Sequence, residues 1–246
     1  MEDPARPGAG GAKRAAWKWS LLAGLIGVLI GALAMAAASG FFVRRYLLAH
    51  PEILPEAMER LQAREAAAAQ REVVPALDRH RAALETPYHG AWAGAQQPEI
   101  VLVEFFDYAC TYCRASNPHI ERLLREDPGL RVVWREFPVL GPVSEEAAVA
   151  SLAAARAGRF RAFYDRLFAS GRPTEATIAA ARESVGIAAA SLDDEARREL
   201  EKNFELGRAI RALGTPTFVV GDQVLQGAVG YEALREAIAA ARAARG

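Results

Sequence analysis

The sequence predicts an α/β fold, and three patterns carry that prediction. Residues 100–137 read as strand, helix and strand, the order of a parallel βαβ unit. Residues 144–213 are alanine-rich and helical in pattern. From Pro216 the chain reads as two short strands and a closing helix. With 246 residues, 52% of them hydrophobic, the chain can form one generous domain and a single membrane segment.

The first strand is Ile100–Phe106 (IVLVEFF), a short apolar run. A helix follows from about Cys110 to Arg125, with Pro118 predicted to kink it. Leu130–Phe137 (LRVVWREF) is the second strand, and Arg135 and Glu136 read as decoration on it. Gly158, the Gly171-Arg172-Pro173 break and Gly186 divide the helical block into several helices. Pro216–Val220 is a strand, Gly221-Asp222 a turn and Gln223–Gln226 the paired strand, with a helix over Tyr231–Arg245.

Upstream, Thr86–Pro98 (TPYHGAWAGAQQP) reads as a linker, being rich in Gly, Pro and small residues. Residues 45–86 are polar and helical, with Leu47, Leu48, Ile53, Leu54, Met58 and Leu61 near helical spacing. Pro51, Pro55 and Pro75 predict short helices rather than one rod. Two uses suit so narrow a stripe: a stalk that spaces the following domain, or an element of homo-oligomerisation.

Trp19 to Val43 carries no charge over 25 residues, enough to cross a hydrocarbon core of about 30 Å. Lys13, Arg14 and Lys18 precede it and Arg44 and Arg45 follow, a modest bias toward a cytoplasmic tail at residues 1–18. Two readings stay open: a signal anchor spanning residues 19–43, or a signal peptide cut after Ala36 or Ala38. The length of the run favours the anchor. Either reading puts residues 88–246 outside the cytoplasm, where disulfides form.

Lys plus Arg equals Asp plus Glu at 30 each, so no net charge recommends a nucleic-acid partner. The only two cysteines are Cys110 and Cys113 in Cys-Thr-Tyr-Cys. Two cysteines cannot make a disulfide scaffold, and with four scattered histidines they do not make a tetrahedral metal site. No metal or cofactor is expected. A redox pair remains. At a strand-to-helix junction the first cysteine meets unpaired N–H groups and the helix dipole, which favour a thiolate. Cys110 is therefore the expected nucleophile and Cys113 the resolving thiol. Asp107 either caps the helix or sits by the sulfur and opposes ionisation.

The run Val103-Glu104-Phe105-Phe106-Asp107-Tyr108-Ala109-Cys110-Thr111-Tyr112-Cys113, with Gly214-Thr215-Pro216-Thr217-Phe218 far downstream, resembles the DsbA family of thioredoxin-like proteins, and most of all its membrane-anchored or stalked ScsC-like branch. The resemblance covers about residues 88–246. It implies a thioredoxin-like fold with a helical insertion at about 144–213, preceded by an N-terminal transmembrane helix and a helical stalk at 44–87. It implies that Thr215-Pro216 is a cis-proline loop facing the cysteines. By the same resemblance Glu104 matches a buried acid beneath the site, able to relay a proton to or from Cys113; a solvent-facing strand position is the alternative. Thr111-Tyr112 departs from the family's common dipeptides, and with it the direction of electron flow is left open.

The resulting expectation is thiol–disulfide exchange on exported proteins that carry cysteines, most simply oxidation of their thiols, by a protein of the inner membrane with its catalytic domain in the periplasm. The redox partner would be of DsbB type for an oxidase. It would be of DsbD type for an oligomeric isomerase or reductase. A client-holding, chaperone-like module with little redox use is the third reading.

Overall fold

The computed structural model describes residues 10–188 and 193–245. It has two compact units, Met1–Glu65 and Ala66–Gly246. Helix α1 (Gly10–Ala49) is followed, after Pro51, by α2 (Ile53–Glu85). The expectation of several short helices over 45–86 is corrected: only Pro51 breaks the chain. Pro55 lies in the first turn of α2, where no intrahelical donor is needed, and Pro75 is carried inside the helix. Val73, Leu77 and Leu84 of α2 are buried on the sheet, and that burial outweighs the hydrogen bond lost at Pro75.

Among the described residues no helix is long and apolar enough to cross a membrane. Part of the sequence-predicted anchor falls outside that description, namely the side chains of Trp19–Ala23, Ala34 and Ala36–Ser39. The first nine residues of the expected tail lie outside it as well.

The second unit is built on a five-stranded sheet in the order β1-β3-β2-β4-β5. The strands are β1 (Trp92–Gly94), β2 (Ile100–Phe106), β3 (Leu130–Glu136), β4 (Thr217–Val220) and β5 (Gln223–Gln226). β2 and β3 are parallel, joined through α3 (Thr111–Glu126), and the other pairs are antiparallel. β1 corrects the reading of 86–98 as a plain linker: backbone pairing of Trp92 with Val133 makes it an edge strand. Three residues, Trp92, Ala93 and Gly94, are too few to show a periodicity from which to foresee it. β4 and β5 close through the two-residue turn Gly221-Asp222. Gly221 has φ +55 and a Cβ there would lie 2.7 Å from Ala241 Cβ, so glycine is required.

The insertion holds α4 (Pro142–Arg156), α5 (Phe160–Ala169), α6 (Glu175–Ser184) and α7 (Asp194–Ala209), and α8 (Gly230–Ala243) ends the fold. Alternation along the strands sorts the core. Ile100, Leu102, Phe106, Val132 and Trp134 face α3, α4, α5 and α8, while Val101, Val103, Phe105 and Val133 face α2 and α7. β2 is buried at all seven positions. Cover on both faces explains its near-continuous apolar run.

Arg135, read from the sequence as surface decoration, is 1% exposed. Its guanidinium donates to the Leu84, Ala83 and Thr86 carbonyls at the end of α2, and to Glu199 (2.9 Å) and Asn203 (3.0 Å) of α7. It caps a helix that has no basic residue in its own last turn.

Two outcomes follow for the fold. A chain beginning at Ala66 should unfold as cooperatively as the full protein, whereas one beginning at Tyr88 loses Val73, Leu77 and Leu84 and is expected to be less stable by roughly 5 kcal/mol or more in urea titrations. Arg135→Met should cost roughly 3–5 kcal/mol because Glu199 stays buried with only Lys202, at 3.4 Å, to offset its charge, and adding Glu199→Met should recover most of it.

Candidate active site

β2 delivers the site. After Phe106 the chain turns through Asp107, Tyr108 and Ala109, and Cys110 becomes the N-cap of α3. Its sulfur accepts from the Cys113 N–H (3.4 Å), a donor left free at the start of the helix. Cys113 lies one turn on, on the buried seam of α3 with Ser116, Ile120 and Leu123. Cys110 is 5% exposed and Cys113 is sealed, and both are free thiols.

Antiparallel pairing of Phe105 with Thr217 brings the start of β4 beside the end of β2. The Thr215–Pro216 peptide is cis. The Cys110 thiol donates to the Thr215 carbonyl at 3.2 Å, and the Thr217 hydroxyl holds the loop through the Gly214 carbonyl at 2.7 Å. Four of the five sequence-predicted site residues, Cys110, Cys113, Thr215 and Pro216, thus share one cluster at the end of β2, with Thr215 its partly exposed member.

The fifth, Glu104, lies inside the sheet at 0% exposure, on the face that Cys113 covers. Both its carboxyl oxygens are buried without a hydrogen-bond partner. Trp134 is its ladder partner, and the Tyr164 hydroxyl donates elsewhere, to Asn117. The solvent-facing alternative for Glu104 is therefore excluded. Burial pushes its pKa up to about 8, with the nearby Trp134 and Tyr164 offsetting part of the rise and Cys110 adding to it.

The thiols are pulled apart in the same way. The Cys113 side chain lowers Cys110 most, burial opposes this, and Thr215 and the N–H groups of Cys113 and Tyr112 pull it further, to about 5. Burial drives Cys113 far upward, helped by Cys110 and Glu104. One sulfur is a thiolate at neutral pH and the other holds its proton.

Asp107 does neither of the jobs the sequence offered. At 1% exposure it accepts from the N–H groups of Ala109 (2.8 Å), Val139 (2.9 Å) and Leu140 (3.0 Å). It therefore ties the β3–α4 loop to the turn before Cys110. Three N–H donors satisfy a buried carboxylate. Nothing in the sequence pointed to that contact. The tie holds Val139 (43% exposed) and Leu140 (49%) against the turn that precedes Cys110. With Tyr112 (67%) and Leu213 (87%) they are the four large hydrophobics exposed in the second unit among the described residues. Glu136, the other residue passed over, is 3% exposed on the Glu104 face of β3.

These pKa shifts carry opposite signs. Glu104 has a raised value, so its contribution to stability is full below 4.5 and is lost as the pH rises to about 8. The Glu104→Gln protein should therefore gain on wild type over that interval in denaturant titrations. Cys110 has a lowered value, so the thiolate's contribution to the reduced form is lost as the pH falls from 9 through about 5. Alkylation of the reduced protein should titrate with a midpoint near 5, against 9 for an ordinary thiol.

Residues 101–239 match the DSBA-like thioredoxin domain, and residues 40–68 match the N-terminal domain of the copper resistance protein ScsC. The catalytic domain of Proteus mirabilis ScsC is 31% identical, with 69% of this chain and 98% of that chain covered and a TM-score of 0.64. A periplasmic thioredoxin-like protein from Salmonella enterica serovar Typhimurium is 28% identical, covering 66% and 95%, with a TM-score of 0.62. Among curated proteins the Na(+)/H(+) antiporter NhaA 3 of Salinispora tropica is 30% identical over 162 residues, 60% of this chain. The chain spans only 24% of that antiporter's length. A fold with its cysteine pair at the cap of α3, and a family model that covers more than half the chain, lead to one conclusion: the protein belongs to the DSBA-like thioredoxin-domain family, on its ScsC-like branch.

Proposed function

We propose that the protein is a thiol–disulfide oxidoreductase that oxidises cysteine pairs of exported proteins. The observation that carries this is the placement of the two thiols: the Cys110 sulfur caps α3 and accepts from the Cys113 N–H at 3.4 Å, which favours its thiolate, while Cys113 is sealed beneath it, which holds its proton. A substrate thiolate attacks the Cys110 sulfur of the oxidised enzyme, the Cys110–Cys113 bond breaks, and Cys113 leaves and takes up a proton. The substrate's second thiolate then attacks the substrate sulfur of the mixed disulfide and releases Cys110 as a thiolate. The substrate loses two electrons and the enzyme pair gains them. A stable Cys110 thiolate favours the reduced enzyme, and so an oxidising disulfide. Glu104, neutral below about 8, is the proton donor to Cys113. Tyr112, Val139, Leu140 and Leu213 offer an apolar rim to a polypeptide, and the free edge of the Thr215–Pro216 loop offers backbone pairing.

The N-terminus supports a place for this chemistry. Among the described residues of α1, apolar side chains are exposed at consecutive positions, Val28 to Ile30 and Phe41 to Val43, and so on every side of the helix there. Twenty-five residues of helix span about 37 Å. We assign residues 19–43 to the inner membrane and the second unit to the periplasm, with residues 44–65 as a spacer. Recharging then falls to a DsbB-type membrane partner.

A second reading, an oligomeric isomerase recharged by a DsbD-type partner, draws on Leu54, Met58 and Leu61. They form an exposed stripe at helical spacing in the ScsC-like segment. Light scattering on the detergent-solubilised full chain tests it, and a monomer removes its basis.

Cys110→Ala is expected to abolish both oxidation of a cysteine-pair peptide and reduction of insulin, whereas Cys113→Ala should accumulate mixed disulfides on gels. Activity retained in Cys110→Ala would overturn the mechanism. In cells, alkylation should find the pair mostly oxidised, and a mostly reduced pair would favour the isomerase.

A further inference from the structure

The mechanism leaves one buried acid without a job. Glu136 is 3% exposed, and its Oε1 is buried with no hydrogen-bond partner. It pairs with Phe106 in the parallel ladder, and Glu104 pairs with Trp134, so the two acids share one face of adjacent strands, two residues out of step. Four unpartnered polar atoms line that face: both oxygens of Glu104, Trp134 Nε1 and Glu136 Oε1. Buried polar atoms are seldom left unpaired, and such a group marks a functional cluster or a strain.

We propose that Glu136 is a positioning residue that holds the second proton of the site: it resupplies Glu104 after Glu104 has protonated Cys113. The inference rests on the thiol-exchange reading above. The balance is simple. Cys113 leaves the broken disulfide as a thiolate and takes the proton of Glu104. The resulting Glu104 carboxylate takes the proton of Glu136, and Glu136 regains one from water. Glu136 ends β3, two residues beyond the ladder partner of Glu104, and the chain surfaces just after it at Val139 and Leu140.

Its surroundings keep it protonated. Burial raises it far above the ordinary carboxylate range, Ser151 opposes, and the charges of Asp107 and Glu104 raise it further. Asp107 is committed to three N–H groups and stays a fixed neighbour. From α4, Ser151 bonds the Tyr108 hydroxyl at 2.8 Å. From α5 come Tyr164, Asp165 and Arg161, the last 4.9 Å over the Trp134 ring and paired with Glu121 and Asp165. From α3 the Cys113 thiol faces Glu104, and Cys110 at the helix cap adds its charge. The one basic side chain in this set, Arg161, spends its Nη2 on Glu121 and Asp165 and keeps a buried Nη1 without a partner, and it is not among the groups that shift Glu136.

The test is steady-state oxidation of a cysteine-pair peptide, with a small-molecule disulfide in excess to recharge the enzyme, across the pH range, in wild type, E104Q, E136Q and the double variant. E136Q should be slowed by roughly tenfold or more while keeping the pH limb near 8, because Glu104 is intact. E104Q should lose that limb, and the double variant should be no slower than E104Q alone. An unchanged rate in E136Q, or a double variant slowed by the product of the two singles, overturns the proposal. Alkylation of Cys110 should keep its midpoint in E136Q, so a failed thiol mechanism is told apart from a failed proton path. Should E136Q not fold, redox-difference infrared spectra of wild type and E104Q decide the matter. Wild type is expected to show two protonated-carboxyl bands and E104Q one, and a single band in wild type overturns the proposal.

Discussion

Strands β2 and β3 are covered on both faces, and the remaining features of the site answer to that burial. Helices α3, α4, α5 and α8 cover one side, and α2 and α7 cover the other. Any charged side chain these strands carry must find its partners inside the protein or give up its charge. Arg135 takes the first course, with three carbonyls, Glu199 and Asn203 around it. Glu104 and Glu136 take the second, and burial holds both protonated above the usual range. The same layer of helices that stabilises the sheet therefore creates its acids.

The cysteines respond to the same division between cap and interior. Cys110 stands where the helix has donors to spare and Cys113 where the core begins, three residues and one turn apart. No basic residue is needed to make the difference, because backbone N–H groups and the neighbouring thiol supply it. This shifts the weight of tuning from Thr111-Tyr112, whose side chains bring no charge, to the geometry of the turn. Asp107 is central to that geometry, since it joins the β3–α4 loop to the residues before Cys110 and so shapes the rim around the thiol.

Much of this was legible in the chain. The apolar run at Ile100–Phe106, the cysteine spacing and the Gly221-Asp222 turn have local causes, and local causes leave periodicities and signature residues. The helical breaks at Gly158 and near Gly186 fall where the sequence set them. What misled was the weight given to single residues. Pro75 reads as a stop, yet apolar contacts of α2 with the sheet carry the helix through it. Arg135 and Glu136 read as surface because charged residues are rarely buried, and only the packing of α2 and α4 onto β3 reverses that expectation.

The sequence by itself determined the α/β order and the place of Cys110 and Cys113 at a strand-to-helix junction, since each depends on neighbours a few positions away. Only the tertiary structure decided which acids are sealed from water and that Asp107 is a tie. It alone placed the Thr215–Pro216 loop 3.2 Å from the Cys110 sulfur across 105 residues of chain. Those are questions of burial and long-range contact. Burial is a property of what covers a side chain, and the covering helices lie far from it in sequence.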